Sequence, residues 1–236
     1  MIKKDLKIKN IPAILWGDNS DQLFVAIHGN MSNKADDVIV ILAEEVVPMG
    51  YQVLSFDLPD HGERKNETYA CKVQNCVHDL NTVINYAQSI SNNISVFACS
   101  MGAYFSLLAY RNLPLKQCLF LSPVVNMERI INNMMTWFDI SEDRLSTEKE
   151  IVTPIGQILY WEYYCYVKSH PIQDWDKPTS ILYGSKDELC EFDVVSAFAK
   201  QYNCDLVIME DGEHYFHTDK QLQFFRQWLK DHISIK

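Results

Sequence analysis

The sequence alternates between short apolar runs and amphipathic helical stretches over most of its length. Runs that are apolar on successive positions are typical of strands buried on both faces. These runs lie at 22–27, 51–56, 94–98, 117–121, 180–183 and 205–209. Helical spacing of apolar residues occurs near 39–46, 73–87, 102–111, 192–202 and 222–229. The alternation predicts an α/β fold, with a mostly parallel sheet and helices on both of its faces.

No internal repeat, low-complexity tract or Pro/Gly linker divides the 236 residues, which suits one sizeable core. The formal net charge of −10 argues against a nucleic-acid or anionic-membrane partner and disfavours highly anionic substrates. The short basic start at Lys3 and Lys4 is typical of a solvated edge strand.

The N-terminus lacks the apolar run and cleavage site of a signal peptide, and no stretch reaches transmembrane length. The seven cysteines are an odd number without metal-type spacing, and Cys71 and Cys76 are too far apart for a CxxC site. These features predict reduced thiols in a cytoplasmic protein without a membrane partner. The oligomeric state does not follow from the sequence.

The strand predicted at 94–98 runs almost directly into the helix predicted from Gly102, and Ser100 lies in the turn between them. Ala98 and Gly102 are small residues two positions either side of Ser100, so strand and helix can approach closely. In a turn of this kind, a nucleophile elbow, the strained backbone exposes the serine hydroxyl. Ala98 replaces the usual glycine, and the turn tolerates its single methyl group.

Two other interpretations of this turn stay open. Ser100 could cap the N-terminus of the helix, where serine is favoured. Cys99 could be the nucleophile, because thiols are intrinsically reactive. The residues two positions from Cys99 are the bulky Phe97 and Met101, and strand alternation directs Cys99 away from Ser100. The pattern therefore favours Ser100.

Polar residues also follow the other predicted strands, at the edge where the carboxyl ends of parallel strands meet. They form the segments His28-Gly29-Asn30-Met31, Asp57 to Gly62, Ser122-Pro123, Gly184-Ser185-Lys186-Asp187 and Gly212-Glu213-His214. Ser100, Asp187 and His214 occur in the order nucleophile, acid, histidine, each after its own strand. With the His-Gly and Asp-x-x-x-His-Gly turns, this order resembles the α/β-hydrolase family, in particular small bacterial serine esterases and serine-aminopeptidase-like hydrolases.

The resemblance implies a catalytic triad in which Ser100 is the nucleophile, His214 the base and Asp187 the acid that orients the imidazole. It also implies an oxyanion hole made of the backbone N–H groups of Asn30 and Met101, with Met31 as the alternative second donor. No metal or organic cofactor is implied, because proton transfer and two backbone donors suffice for acyl transfer.

Neighbouring residues offer alternatives for the acid and the base. Glu188 and Asp193 lie near Asp187, which has the spacing after its strand at which the family places the acid. His217 competes with His214, which directly follows the turn after the last strand.

Asp57, Asp60 and His61, with His28 nearby in the fold, could be interpreted as metal ligands. The resembling family uses this turn structurally, with Gly62 permitting its tight geometry. The sequence therefore predicts a structural turn and no metal site.

The alternation is interrupted at 126–175, a segment rich in aromatic residues and methionine. Its position matches the cap that many α/β-hydrolases insert over the active site. The resemblance implies a core domain at 1–125 and 176–236 and a cap at 126–175. The aromatic and methionine side chains favour an adaptable apolar pocket, although they could also pack the cap onto the core.

These features favour a serine hydrolase that cleaves small-molecule carboxylic esters of small to medium acyl groups through an acyl-enzyme. A peptidase or amidase is one alternative, since the fold alone does not separate the two. Recognition of a free amino terminus would need acidic cap residues. The candidates are Glu142, Asp143, Glu148, Glu150 and Glu162. A non-catalytic ligand-binding protein is the other alternative, and the retained Ser100, Asp187 and His214 argue against it.

Overall fold

The computed structural model describes residues 1–233, and its strands and helices alternate as the sequence pattern predicts. The strands are β1 (Lys3–Ile8), β2 (Ile11–Trp16), β3 (Gln22–Ile27), β4 (Gln52–Phe56), β5 (Asn93–Cys99), β6 (Cys118–Leu121), β7 (Glu150–Val152), β8 (Ile158–Tyr160), β9 (Thr179–Gly184) and β10 (Asp205–Met209). The α-helices are α1 (Asp37–Val46), α2 (Val73–Ile90), α3 (Met101–Ala109), α4 (Met127–Trp137), α5 (Glu142–Glu148), α6 (Trp161–Ser169), α7 (Phe192–Gln201) and α8 (Asp219–His232). All of the helices in this part of the chain are too short or too polar to cross a bilayer.

The central sheet has eight strands in the order β1-β2-β4-β3-β5-β6-β9-β10. From β4 to β10 neighbouring strands run parallel, which confirms the predicted fold class. β1 and β2 extend the sheet by antiparallel pairing, and β1 is the exposed edge strand that the basic start predicts. The sequence did not identify β2, which contains Pro12, a residue depleted in strand interiors because it has no N–H.

Helices cover both faces of the sheet, and alternate residues of β3 enter the two cores. Leu23, Val25 and Ile27 pack on the face covered by α2, α3 and α7. Phe24 and Ala26 pack on the face covered by α1 and α8. All five side chains are fully buried, and each large apolar one contributes about 1.5–3 kcal/mol to folding. The parallel strands therefore end at one rigid, well-packed edge.

The chain between β6 and β9 leaves the sheet and forms α4, α5, the β7–β8 hairpin and α6. Its buried side chains, including those of Leu145, Tyr164 and Val167, join the core on the α2/α3 face. The turn of the hairpin reaches the end of β3, where Asn30 Nδ2 donates a hydrogen bond to Gln157 Oε1 over 3.2 Å. We call residues 126–175 the inserted segment.

The division into a core domain (1–125 and 176–236) and a cap (126–175) stays a prediction. The last part of the core-domain range, 234–236, lies outside the described residues.

Candidate active site

Ser100 lies in the sharp turn between β5 and α3. Its backbone adopts φ 51° and ψ −122°, a conformation that costs a non-glycine residue about 1–3 kcal/mol. A Cβ on Gly102 would lie 2.5 Å from the carbonyl oxygen of His28, so the first turn of α3 can pack this closely only with glycine there. Ala98, on the strand side of the turn, is fully buried. The small residues on both sides thus allow the strained conformation of Ser100.

Ser100, His214 and Asp187 meet at the carboxyl ends of β5, β10 and β9. Ser100 Oγ lies 2.8 Å from His214 Nε2, and His214 Nδ1 lies 2.7 Å from Asp187 Oδ2. Both distances are those of good hydrogen bonds. When Nδ1–H donates to the carboxylate, Nε2 carries a lone pair and can accept the hydroxyl proton of Ser100. The Asp187 side chain is fully buried, whereas that of His214 is 21% exposed.

Asp187 is fixed by the turn that follows β9. Its Oδ1 accepts hydrogen bonds from the backbone N–H groups of Leu189 at 2.9 Å and Cys190 at 2.8 Å. Oδ2 is left for His214. This turn presses against the turn after β10, because a Cβ on Gly184 would lie 2.4 Å from the carbonyl oxygen of Gly212. The two glycines thus bring the carboxylate and the imidazole together.

Solved structures similar to this one are known, although no family model and no curated protein sequence matches the chain. Est1E from Butyrivibrio proteoclasticus, solved with ferulic acid bound, superposes with a TM-score of 0.77 at 20% identity, covering 97% of this chain and 98% of Est1E. A putative hydrolase from Agrobacterium vitis S4 gives 0.81 at 13% identity, covering 99% of both chains. Mouse alpha/beta hydrolase domain-containing protein 10 gives 0.78 at 14% identity, covering 98% of both chains. The chain has the α/β-hydrolase fold.

In this α/β-hydrolase fold, the turn after β3 packs directly on the elbow. A Cβ on Gly29 would lie 3.1 Å from the Cβ of Ser100, so the backbone leading to Asn30 borders the serine. Met101 is the first residue of α3, and its N–H has no acceptor within the helix. Met31 follows with φ 58° and a side chain that is 88% exposed. Backbone from two different turns therefore borders Ser100.

The residues that compete with the acid and the base lie outside this hydrogen-bonded chain. Glu188 and Asp193 are exposed. The His217 side chain is 47% exposed, and its Nδ1 donates to the carbonyl oxygen of Tyr215 at 2.8 Å. Of the two histidines, only His214 faces Ser100 Oγ within hydrogen-bond distance in the part of the chain that the structure describes.

Cys99, the alternative nucleophile, packs against the core on the α1/α8 face of the sheet. Burial raises the pKa of its thiol to about 12. A thiol with this pKa stays protonated near neutral pH, and the protonated form is a poor nucleophile. The environment of Cys99 therefore favours Ser100 in that role.

The Asp57 turn is held together by buried hydrogen bonds. The carboxylate of Asp57 accepts from the backbone N–H of Lys34 (2.8 Å), from its ammonium group (2.7 Å) and from the N–H of Glu63 (3.0 Å). A Cβ on Gly62 would lie 2.2 Å from Asp57 Oδ1, so only glycine permits this approach. Protein donors thus occupy the carboxylate, which supports the structural interpretation of this turn. The sequence pattern gave no sign of Lys34 as its partner.

His28 joins this turn to the turn after β3. Its Nδ1 donates to the carbonyl oxygen of Gly29 at 2.7 Å, and its Nε2 accepts from the N–H of Leu58 at 3.0 Å. Burial lowers the pKa of His28 to about 4, so the ring is neutral and both of its nitrogens are used. His28 is thus a fixed connection between the turns after β3 and β4.

Cys190 is a neighbour of the acid that the sequence analysis missed. Within residues 1–233, potential metal-ligating atoms of Asp187, Cys190 and His214 lie within 4.8 Å of one another. The carboxylate and imidazole are already bonded, and burial raises the pKa of the Cys190 thiol, which keeps it protonated. The group therefore fits an acid–histidine pair better than a metal site. What Cys190 contributes is its backbone N–H, and its position three residues after the acid was the available signal.

Proposed function

We propose that the protein is a serine hydrolase that cleaves carboxylic esters through an acyl-enzyme. The observation that carries this proposal is the continuous hydrogen-bonded chain from Ser100 Oγ through His214 to Asp187. It occurs at the carboxyl ends of parallel strands, where α/β proteins bind their ligands. The esterases among proteins of similar fold support the same reaction class.

The first step is attack of Ser100 Oγ on the ester carbonyl carbon while His214 Nε2 takes the hydroxyl proton. The imidazolium that forms is stabilised by the buried carboxylate of Asp187, 2.7 Å from Nδ1. The backbone N–H groups of Met101 and Asn30 would donate to the negative oxygen of the tetrahedral intermediate. The Met101 N–H lies at the start of α3, so this donor needs no reorganisation during the reaction.

The intermediate then collapses as His214 returns its proton to the leaving alcohol, and the acyl group stays on Ser100. Water then attacks the acyl carbon while His214 takes one of its protons. The second tetrahedral intermediate collapses, the bond between the acyl carbon and Ser100 Oγ breaks, and His214 returns the proton to Oγ. His214 thus carries the proton in both halves of the reaction.

We expect neutral esters of small to medium acyl groups as substrates. Apolar side chains stand exposed next to the proposed machinery: Met31 (88% exposed) follows Asn30, and Tyr215 (61% exposed) follows His214. They offer apolar contact to an acyl chain or an aromatic ring. The net charge of −10 provides no attraction for anionic substrates.

The peptidase alternative is less well supported by the acidic residues of the inserted segment. Glu142 pairs with Lys168 at 3.2 Å, and Glu148 with Arg144 at 2.7 Å. Glu162 pairs with Lys72. Three of the five carboxylates that could recognise a free amino terminus thus already have cationic partners.

The test combines a covalent probe with a substrate panel. A fluorophosphonate should label Ser100, as located by peptide mapping, and Ser100→Ala should abolish labelling. That variant should fold normally and lose roughly 10⁴- to 10⁶-fold in kcat. Nitrophenyl esters of increasing chain length, a feruloyl ester and aminoacyl anilides form the panel.

Turnover confined to the anilides would replace the esterase proposal with the peptidase. Absence of labelling together with absence of turnover would favour a ligand-binding protein. Labelling at Cys99 with Ser100 unmodified would transfer the role of nucleophile to the thiol.

A further inference from the structure

Cys71 and Cys76 form a pair that takes no part in the proposed mechanism. Cys71 is partly buried in the loop before α2, and Cys76 is fully buried in the first part of that helix. Their sulfur atoms are 3.6 Å apart. A disulfide needs the sulfurs at about 2.05 Å, so a small movement of the loop would close the bond.

His61 also interacts with Cys71, and its ring nitrogens both face acceptors. Nδ1 lies 2.8 Å from the carbonyl oxygen of Pro59, and Nε2 lies 3.2 Å from Asn30 Oδ1. The amide nitrogen of Asn30 is used by Gln157, so its oxygen is the atom that faces the ring. Protons on both nitrogens, which is the imidazolium form, satisfy both of these acceptors.

The charge states of His61 and Cys71 agree with this geometry. Burial lowers the pKa of His61, but hydrogen bonds to Cys71 and Pro59 outweigh burial and leave it raised. The hydrogen bond from Cys76 is the largest effect on the pKa of Cys71, and His61 acts in the same direction. Together they outweigh burial and lower the pKa of Cys71 to about 6. Cys71 is therefore a thiolate near neutral pH, and the thiolate is the form that oxidants attack.

We propose that Cys71 and Cys76 are a peroxide-sensitive thiol pair, and that their oxidation to a disulfide loosens Asn30 and slows turnover. The Cys71 thiolate attacks one oxygen of a hydroperoxide, the O–O bond breaks, and Cys71 becomes a sulfenic acid while the other oxygen leaves as water or an alcohol after protonation. Cys76 then loses its thiol proton and attacks the Cys71 sulfur. The S–O bond breaks, and hydroxide leaves with that proton as water. Two thiols are oxidised and one peroxide is reduced.

The disulfide removes the negative charge beside His61. A neutral His61 keeps its Nδ1–H on the Pro59 carbonyl and has no proton for Asn30 Oδ1. The Asn30 side chain must then turn, which breaks its bond to Gln157 in the inserted segment. Asn30 then loses the two side-chain hydrogen bonds that hold it in place, and its backbone N–H, a proposed oxyanion donor, is less well fixed. The effect on turnover rests on the proposed function, whereas the disulfide chemistry is independent of it.

The chemical test treats the reduced protein with stoichiometric hydrogen peroxide, alkylates the remaining thiols and maps the peptides. We expect loss of two hydrogens and a cross-linked Cys71–Cys76 peptide. Cys76→Ser should stop at a Cys71 sulfenic acid that dimedone traps. Cys165→Ser, which removes an exposed cysteine, is the matched control and should form the disulfide like the native chain. Oxidation of Cys165 with Cys71 and Cys76 both unmodified would overturn the proposal that this pair is sensitive to peroxide.

Ester turnover is measured on the same samples. It should fall about tenfold, less than the roughly 10²- to 10³-fold loss on removal of an oxyanion donor, and dithiothreitol should restore it. Cys71→Ser also lacks the negative charge beside His61, so its turnover should be lowered before treatment, and peroxide should not change it. A disulfide without any change in turnover would overturn the coupling to Asn30 and leave the proposed function standing. If the reduced protein cleaves no ester, the proposed function fails. The peptide map still shows whether peroxide joins Cys71 and Cys76 in a disulfide.

Discussion

A Cβ added to Gly102 would lie 2.5 Å from the carbonyl oxygen of His28. The first turn of α3 and the turn after β3 are therefore in backbone contact at a point that admits no side chain. Ser100 directly precedes the first turn of α3, and Asn30 follows Gly29 in the turn after β3. This contact sets the distance between the proposed nucleophile and a proposed oxyanion donor.

Gly102→Ala should separate the two turns. We expect a loss of about 1–3 kcal/mol in the free energy of unfolding, typical of overpacking. We also expect turnover to fall by up to roughly 10²-fold, because small misplacements of catalytic groups are costly. Urea denaturation and ester hydrolysis measure the two effects.

The control on the same helix is Ser106→Ala, which removes only the bond from Ser106 Oγ to the Gly102 carbonyl oxygen. It should cost about 1 kcal/mol and leave kcat unchanged. Equal turnover of the Gly102 variant and the native chain would show that the contact does not position the site.

His214 and His217 should respond very differently to substitution. His214→Ala removes the proposed base and should lower kcat by roughly 10⁴- to 10⁶-fold, about as much as loss of Ser100, because the two act as a unit. His217→Ala removes a half-exposed ring that stacks on Tyr215 and should change kcat little. Steady-state kinetics on a nitrophenyl ester provides the comparison, and the opposite order of severity would reassign the base.

Asp187→Asn tests how the acid controls the tautomer of His214. An asparagine amide can donate to Nδ1, which would place the imidazole proton on Nε2. A protonated Nε2 cannot accept the hydroxyl proton of Ser100. We expect kcat to fall by roughly 10⁴-fold with little loss of stability. Glu188→Gln makes the same chemical change one residue further on, at an exposed side chain, and should be silent. A silent Asp187 variant would move the role of acid to another carboxylate.

Much of the fold could be predicted because each parallel strand is a short apolar run with its own helix. The run at 22–27 coincides with β3, and the one at 205–209 with β10. The juxtaposition of Ser100 and His214 across 114 residues also follows from topology, because parallel strands place their carboxyl ends at one edge.

What could not be predicted depends on contacts between distant loops. The pairing of Lys34 with Asp57 joins residues 23 positions apart in two loops without periodicity. Cys71 and Cys76 lack the spacing of any known motif, and only the start of α2 brings their sulfurs together. In the inserted segment, aromatic-rich composition indicated burial, but it gave no signal for the β7–β8 hairpin, which pairs only within itself.

The burial of His28 should make stability depend on pH. Its pKa is about 4 in the folded protein, against 6.5 as the ordinary value, so between these limits the unfolded chain binds a proton that the folded chain does not. Stability therefore falls as pH falls through this window. The full effect is about 3 kcal/mol, at 1.36 kcal/mol for each pKa unit.

Urea denaturation of the native chain and of His28→Asn at about pH 7, 5.5 and 4.5 isolates this contribution, since other titrating groups affect both proteins alike. Asparagine can still donate to the Gly29 carbonyl oxygen but leaves the Leu58 N–H unpaired, so the variant should be less stable near neutral pH. It should then lose less stability on acidification, and the gap between the two proteins should narrow towards pH about 4.5. His78→Asn, at an exposed histidine, should retain the native pH dependence. A constant gap across the three pH values would mean that His28 titrates normally in the folded protein.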